Sequence, residues 1–98
     1  MNNLICSAIR SRKILKFYYN DGGYRTVEPY CYGVGPTGNE LLRAFQIGGY
    51  SESGNPIHWK LFSVNKISNI SITDEEFVGD RPEYNPQDSA MVKIYCCV

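Results

Sequence analysis

The side chains best suited to chemistry in this chain are cations that lie among apolar residues. Arg43 falls on the same predicted strand face as Leu41, where a guanidinium group requires either an anionic partner or contact with solvent. Lys60 and Lys66 lie in a second apolar stretch, residues 57–67. Because guanidinium groups offer paired donors to phosphate and lysines act as point charges, residues of this kind indicate anion binding.

Other chemistry has little support in the sequence. His58 is the single histidine, and no motif places a serine or cysteine nucleophile beside it. Residues 33–38, GVGPTG, are rich in glycine but lack the Lys-Ser/Thr ending of a phosphate loop. A zinc site built from Cys31, Cys96 and His58 is disfavoured because no pair has zinc-type spacing. We therefore expect a protein that is not an enzyme and holds no metal or cofactor.

Apolar periodicity predicts a chain of short strands after one helix. Leu4, Ile5, Ala8 and Ile9 have helical spacing. Strand-like segments follow, separated by glycine-rich turns at 20–23, 33–39 and 48–56; they are residues 14–20, 24–32, 41–47, 57–67, 68–73 and 91–98. This pattern predicts a mainly β fold with one N-terminal helix, and a small closed barrel would remove the exposed strand edges.

The strand that contains Lys60 changes phase. Ile57, Trp59 and Leu61 alternate as one face of a strand should, but Phe62 then continues the apolar pattern in the opposite parity. A barrel must bend its strands sharply, and one extra residue in a strand produces such a bend. We therefore predict a β-bulge at Leu61–Phe62.

The totals limit both the size of the protein and its partners. Ninety-eight residues suffice for a single domain spanning residues 1–98, with a core barrel at about 13–73 and an extension at 74–98 that returns as a strand. Ten basic and ten acidic residues cancel, so the whole molecule should not be drawn to nucleic acid or membrane. The body is nevertheless mildly basic and the extension acidic, which leaves room for a local basic patch.

The N-terminal segment and the cysteines predict a cytoplasmic protein. MNNLICSAIRSRK is too polar for a secretory signal, and no apolar run approaches the roughly 20 residues that span a bilayer. The four cysteines, Cys6, Cys31, Cys96 and Cys97, have no CxxC spacing. In a reducing compartment we expect them to be small, apolar core residues.

The order of these segments resembles the WYL domain family over roughly residues 5–73. The resemblance rests on AIRSRK, ILKFYY, YRTVEP, NELLRAF and KLFSVNKI. The Trp-Tyr-Leu signature corresponds here to Glu40, Leu41 and Leu42, of which only the last leucine is kept. The resemblance implies an Sm-like (SH3-like) small β-barrel that senses a ligand or contacts nucleic acid, here as a stand-alone regulatory module.

The resemblance also implies positions for a ligand. Arg25, Lys60 and Lys66 match the basic ligand surface of the family, and Arg43 adds a fourth cation. The aromatic residues Tyr30, Tyr50 and Trp59 are candidates to stack on bases, as in other small barrels that bind single strands. We expect these seven residues to bind a nucleotide or a short single-stranded nucleic acid.

The sequence leaves two alternatives open. In the first, Arg25 pairs with Glu28 or Glu40, and the lysines are simply solvated. In the second, the domain is a protein interaction module that pairs through a barrel edge or through the C-terminal strand. It would then form a homodimer or associate with a separately encoded effector.

Overall fold

The computed structural model describes residues 2–20, 22–50 and 57–98, which form one helix and six strands. The elements are helix α1 at Asn2–Ser11 and strands β1 at Lys13–Tyr19, β2 at Tyr24–Val34, β3 at Glu40–Gly49, β4 at His58–Ser63, β5 at Ile67–Glu76 and β6 at Lys93–Cys97, with a 3₁₀ turn at Val64–Lys66. The predicted mainly β fold with one N-terminal helix is therefore confirmed. Residues 51–56, within the predicted loop at 48–56, and Asp21, within the predicted turn at 20–23, lie outside the described residues.

All six strands belong to one antiparallel sheet. Five of them follow the order β4-β3-β2-β1-β5, and β6 pairs with β2. The expected closure into a barrel is not found, because β4 and β5, at the two ends of this path, do not pair with each other within the described ranges. The result is an open sheet with two faces to cover.

Helix α1 covers one of these faces. Ile5, Ala8 and Ile9 are fully buried and repeat at helical spacing, so the helix presents one apolar side to the sheet. Its partners are the buried side chains that point to this face, namely Leu15, Phe17, Val27, Tyr32, Leu42, Ala44, Phe62, Val64, Ile67 and Cys96.

The C-terminal extension covers the other face. A second core contains Ile14, Tyr30 and Phe77, with partly buried aromatic residues of β3, β4 and the extension packed around them. Successive residues of a strand point to opposite faces, which is why Ile14 joins this core while Leu15 joins the first.

The predicted bulge at Leu61–Phe62 is wrong, because β4 pairs with β3 in an unbroken register from Gln46↔His58 to Leu41↔Ser63. Phe62 is buried in the core beneath α1, while Trp59 packs in the second core. Since β4 contributes Phe62 to one core and Trp59 to the other, the change of apolar phase requires no extra residue in the strand.

A bulge occurs instead in β2. Pro29 pairs with Ala44 and Cys31 with Arg43, so Tyr30 is the extra residue and turns toward the second core. This point also lies between the stretch of β2 that pairs with β1 and the stretch that pairs with β6. Pro29, which has no N–H to donate, therefore lies where the hydrogen-bond ladder between β2 and β3 is interrupted.

The expectation of four reduced cysteines is wrong in the structure, which forms two disulfides, Cys6–Cys96 and Cys31–Cys97. Cys96 and Cys97 are neighbours in β6 and so point to opposite faces of the strand. Cys96 is bound to helix α1 on one face, and Cys97 to its register partner in β2. The adjacent cysteines thus fix the end of the extension to both layers of the fold.

No helix among the described residues is both long and apolar enough to cross a membrane.

Removing either disulfide should strongly destabilise the fold. The two crosslinks join residues 90 and 66 positions apart, and loops of this size predict a loss of about 4 kcal/mol of unfolding free energy for the first crosslink removed. Urea unfolding of a Cys6→Ala/Cys96→Ala variant and of a Cys31→Ala/Cys97→Ala variant measures each loss. Alkylation of the unfolded wild type without reductant is the control: it should add no mass, and modification of all four cysteines would contradict the pairing.

Candidate functional site

A pocket of about 200 Å³ opens where the C-terminal extension crosses β3 and β4. Arg43 and Trp59 come from the sheet. The other lining residues come from the extension and are Glu83, Tyr84, Asn85, Asp88 and Ser89. A volume of this size suits a single ring or base rather than a large cofactor, since pockets for drug-sized ligands begin at about 300 Å³.

Arg43 is held at the pocket by a carboxylate of the extension. Its Nε donates to Oδ2 of Asp88 at 2.7 Å and one terminal nitrogen donates to Oδ1 at 3.3 Å. The backbone N–H of Ala90 also donates to Asp88, at 3.0 Å. Burial by itself would raise the pKa of Asp88, but these donors together hold it below its ordinary value. Asp88 therefore remains charged and partly neutralises Arg43.

Trp59 supplies an aromatic wall. Its indole N–H donates to the carbonyl of Pro82 at 2.8 Å, which fixes the ring against the extension. The ring of Tyr84 lies nearly parallel to it, at an interplanar angle of 17° and a centroid distance of 6.2 Å. The hydroxyl of Tyr84 donates to the carbonyl of Val98 at 3.1 Å. Both rings are thus anchored by their polar atoms, as buried Trp and Tyr generally are.

Tyr30 lies beneath this aromatic wall and is fully buried. Its ring contacts both Trp59 and Tyr84 at centroid distances of 4.9 Å. Its hydroxyl donates to Glu28 at 3.3 Å and accepts the backbone N–H of Arg81 at 3.2 Å. Burial is the main reason that the pKa of Tyr30 is raised to about 12. Tyr30 therefore supports Trp59 and has no exposed surface on which a base could stack.

A second ion pair fastens the extension close to Tyr30. The guanidinium of Arg81 donates to both carboxylate oxygens of Glu28, at 2.9 and 2.8 Å, and lies over the ring of Phe45 at 4.5 Å. Such paired donation is the strong geometry for an Arg–carboxylate contact. Glu28 is thus bound by the extension, and Glu40, the other carboxylate considered for Arg25, accepts the hydroxyl of Tyr32.

Arg25 and Tyr50 lie together, but on the α1 side of the sheet. The Arg25 side chain is buried, and its guanidinium carbon lies 5.1 Å from the ring of Tyr19, 5.4 Å from that of Tyr50 and 5.9 Å from that of Phe62. These distances are typical of cation–π contacts. Half of the Tyr50 side chain remains exposed.

The two lysines lie apart from the pocket. Lys60 is the cross-strand neighbour of Ala44 and points to the face of β4 opposite Trp59. Lys66 is exposed at the end of the 3₁₀ turn. The seven predicted residues are therefore divided: Arg43 and Trp59 line the pocket above Tyr30, Arg25 and Tyr50 meet on the α1 side of the sheet, and Lys60 and Lys66 are not among the pocket's lining residues.

Sequence reasoning missed the half of the pocket contributed by the extension. Tyr84, Asp88 and their neighbours belong to a proline-containing stretch without apolar periodicity, so no pattern assigns them to a strand face. The acidic charge of the stretch, opposite a basic body, was the one available signal of ion pairing. Among the residues that the structure describes, no cluster of three or more His, Cys, Asp or Glu side chains is placed to hold a metal ion.

Comparison of the chain with protein families, curated proteins and solved structures found no match.

The buried Tyr30 hydroxyl should make the fold sensitive to alkaline pH. Since the pKa of Tyr30 is raised from 10.0 to about 12 in the folded state, its contribution is fully present below pH 10 and is lost as the pH rises toward 12. A pKa difference of this size corresponds to roughly 3 kcal/mol of unfolding free energy. Urea unfolding of the wild type between pH 9 and 11 should show falling stability, and Tyr30→Phe should fall less steeply.

Tyr24→Phe is the matched control for this measurement, because the side chain of Tyr24 is half exposed. It should reproduce the wild-type pH dependence. Identical slopes for Tyr30→Phe and the wild type would contradict the role given to Tyr30.

Proposed function

We propose that this protein is a non-enzymatic, ligand-sensing module that binds a nucleotide in the pocket between the sheet and the C-terminal extension. The observation that carries the proposal is the presence of a guanidinium group, Arg43, and an indole ring, Trp59, in one pocket. A base can stack on the aromatic wall, and a phosphate can meet the guanidinium. Stacking on an aromatic side chain contributes about 1–3 kcal/mol per base.

Arg43 retains donors for a phosphate. Asp88 takes Nε and one N–H of a terminal nitrogen, whereas a guanidinium has five N–H donors in all. The side chain of Arg43 is also partly exposed, at 28%. An anionic ligand would share Arg43 with Asp88, so the affinity should be modest and sensitive to salt.

A mononucleotide fits the geometry better than a long single strand. The pocket has room for about one base, and Lys60 and Lys66 lie away from it. A single strand would have to cross from the pocket around β4 to reach either lysine. We propose a regulatory role rather than catalysis, because the sequence offers no nucleophile–base motif.

We further propose that the domain is a WYL-like relative of the Sm-like barrels. The ends of the sheet path, β4 and β5, follow one another in the chain and are joined by one 3₁₀ turn. These two strands are the ones that closure of such a sheet would bring together. The cytoplasmic location stays a prediction, against which the two disulfides count, since such bonds are typical of oxidising compartments.

Nucleotide binding is tested directly through the single tryptophan. AMP and an oligothymidylate are titrated at low and moderate salt while the fluorescence of Trp59 is followed. We expect AMP to change the emission, Arg43→Ala to weaken binding about tenfold and Trp59→Phe, followed by calorimetry, to weaken it by a similar factor. Lys16→Ala removes an exposed cation on β1, away from the pocket, and is the matched control.

Each outcome decides a part of the proposal. Loss of AMP binding in Arg43→Ala but not in Lys16→Ala supports the pocket. Tight binding of the oligonucleotide without binding of AMP would replace the nucleotide by a single strand. No binding of either ligand at low salt would refute the function.

Asp88 should act as a built-in competitor for the ligand anion. Asp88→Asn removes the charge that faces Arg43 but keeps an oxygen that can accept from the N–H of Ala90. We therefore expect tighter AMP binding, by about tenfold, together with a lower melting temperature because a partly buried ion pair is lost. Calorimetric titration of both proteins measures the change, and equal or weaker binding by the variant would show that Asp88 does not compete.

A further inference from the structure

The outer edge of β4 carries a row of backbone groups whose direction is fixed by hydrogen bonds elsewhere in the sheet. The N–H of Ser63 donates to the hydroxyl of Tyr19 at 2.9 Å, so it points away from β3. Neighbouring residues in an antiparallel ladder alternate between bonding to one side and the other. The N–H and C=O groups of Leu61 and Trp59 therefore also point outward.

The hydrogen bonds of strand β2 independently indicate the same direction for the backbone groups of Trp59 and Leu61. The carbonyls of Tyr30 and Val34 accept from Val98 and Val92, so these residues bond away from β3. The residues of β2 that bond to β3 are then Cys31 and Gly33, whose partners are Arg43 and Leu41. Their neighbours Leu42 and Ala44 must bond to β4, through Phe62 and Lys60. Trp59 and Leu61 are again left facing outward.

The β4 edge is regular, unlike the opposite end of the sheet. Strand β4 pairs with β3 without a register shift. Strand β5, at the other end, shows two register shifts against β1 and a positive φ of 50° at Asn69. Bulges of this kind hinder the addition of a further strand, whereas a regular edge is a template for one.

The side chains of β4 indicate the composition of the added strand. On one face, Leu61 is 40% exposed and Ile57, just before the strand, is 60% exposed. On the other face lie Lys60 and His58. From residue 57 to residue 73 the chain holds two lysines and no carboxylate. A complementary strand therefore alternates apolar residues beside Leu61 with acidic residues beside Lys60.

A second copy of this chain fits the edge poorly. An antiparallel pair of β4 strands that used both outward residues of each copy would place Lys60 directly opposite Lys60. Like charges at directly opposed positions are destabilising. The charge on this edge therefore favours a different protein over self-association.

We propose that the outer edge of β4 binds an extended segment of a partner protein in which acidic and apolar residues alternate. The partner adds a strand to the sheet through the backbone groups of Trp59 and Leu61, and its acidic residues face Lys60. This surface uses the backbone of Trp59, whereas the nucleotide pocket uses its ring, and the strand-addition proposal does not rest on nucleotide binding. Strand addition of this type obtains its affinity from main-chain hydrogen bonds and its specificity from alternate side chains.

Amide hydrogen exchange tests the edge in the free protein. The amides of Trp59 and Leu61 should exchange rapidly and those of Lys60 and Phe62 slowly, because only the second pair is bonded to β3. Equal protection of all four amides in the monomer would show that another part of the chain already pairs with the edge. Equal protection in a dimer would show that a second copy pairs with it. Either result would overturn the proposal.

The acetylated peptide Val-Glu-Val-Glu-Val-Glu-Thr is the ligand for the binding test, followed by NMR at low salt. Binding should protect the amides of Trp59 and Leu61. Two further peptides carry N-methyl groups, one on the valines and the other on the glutamates. Only one alternate set of peptide N–H groups faces β4, so one methylated peptide should lose binding at least about tenfold and the other should keep it.

Variants of Leu61 separate the backbone from the side chain. Leu61→Pro removes an outward N–H that takes no part in the β3–β4 ladder and should abolish binding, while Leu61→Ala should weaken it only a few-fold. The methylated peptides leave the protein unchanged and so decide the question even if Leu61→Pro unfolds. No binding of the parent peptide up to about 1 mM, or equal binding of both methylated peptides, would overturn the proposal.

Discussion

The structure depends on the need to cover a second sheet face when the described residues form one short α-helix. Helix α1 buries one face, and an antiparallel sheet of this size can leave its other face to solvent only if that face is polar. Here it carries Tyr30, Phe45 and Trp59. The C-terminal extension must therefore cross that face, and its attachments are of three kinds: the pairs Arg43–Asp88 and Arg81–Glu28, the bond from Trp59 to Pro82, and the disulfide from Cys97 to Cys31.

The pocket is a consequence of this covering. The part of the extension between β5 and β6 forms neither helix nor strand, and a space remains between Trp59, Tyr84 and the Arg43–Asp88 pair. The bulge in β2 contributes because it turns Tyr30 toward the extension, where the ring supports Trp59. Trp59 itself serves two surfaces, since its ring lines the pocket while its backbone faces the outer edge of β4. Ligand and partner binding would thus meet at one residue.

Much of the fold could be predicted from local patterns, whereas of the pocket only the side formed by the sheet, Arg43 and Trp59, could be. The spacing of Ile5, Ala8 and Ile9 and the alternation within the strands indicate the helix and the sheet, because these periods follow from backbone geometry. The sequence shows the phase change at Leu61–Phe62, but a bulge and a regular strand that packs an apolar residue on each face give the same pattern. The bulge at Tyr30 depends on where β1 ends and β6 begins beside β2, which no local pattern records. The Arg43–Asp88 pair and the disulfides join segments that are distant in the sequence. Without knowledge of those contacts, Cys96 and Cys97 are indistinguishable from two small core residues.

The claim that the extension covers the second face is tested most directly by nuclear Overhauser effects from the single tryptophan. In the intact protein at neutral pH, the indole protons of Trp59 should show contacts with the ring of Tyr84 and with Pro82, and the ring of Tyr84 should show contacts with Tyr30. This pattern would place the extension over the sheet, with the aromatic wall assembled. An indole with contacts only to Phe45 and Tyr30, and none to residues 82–84, would contradict the account.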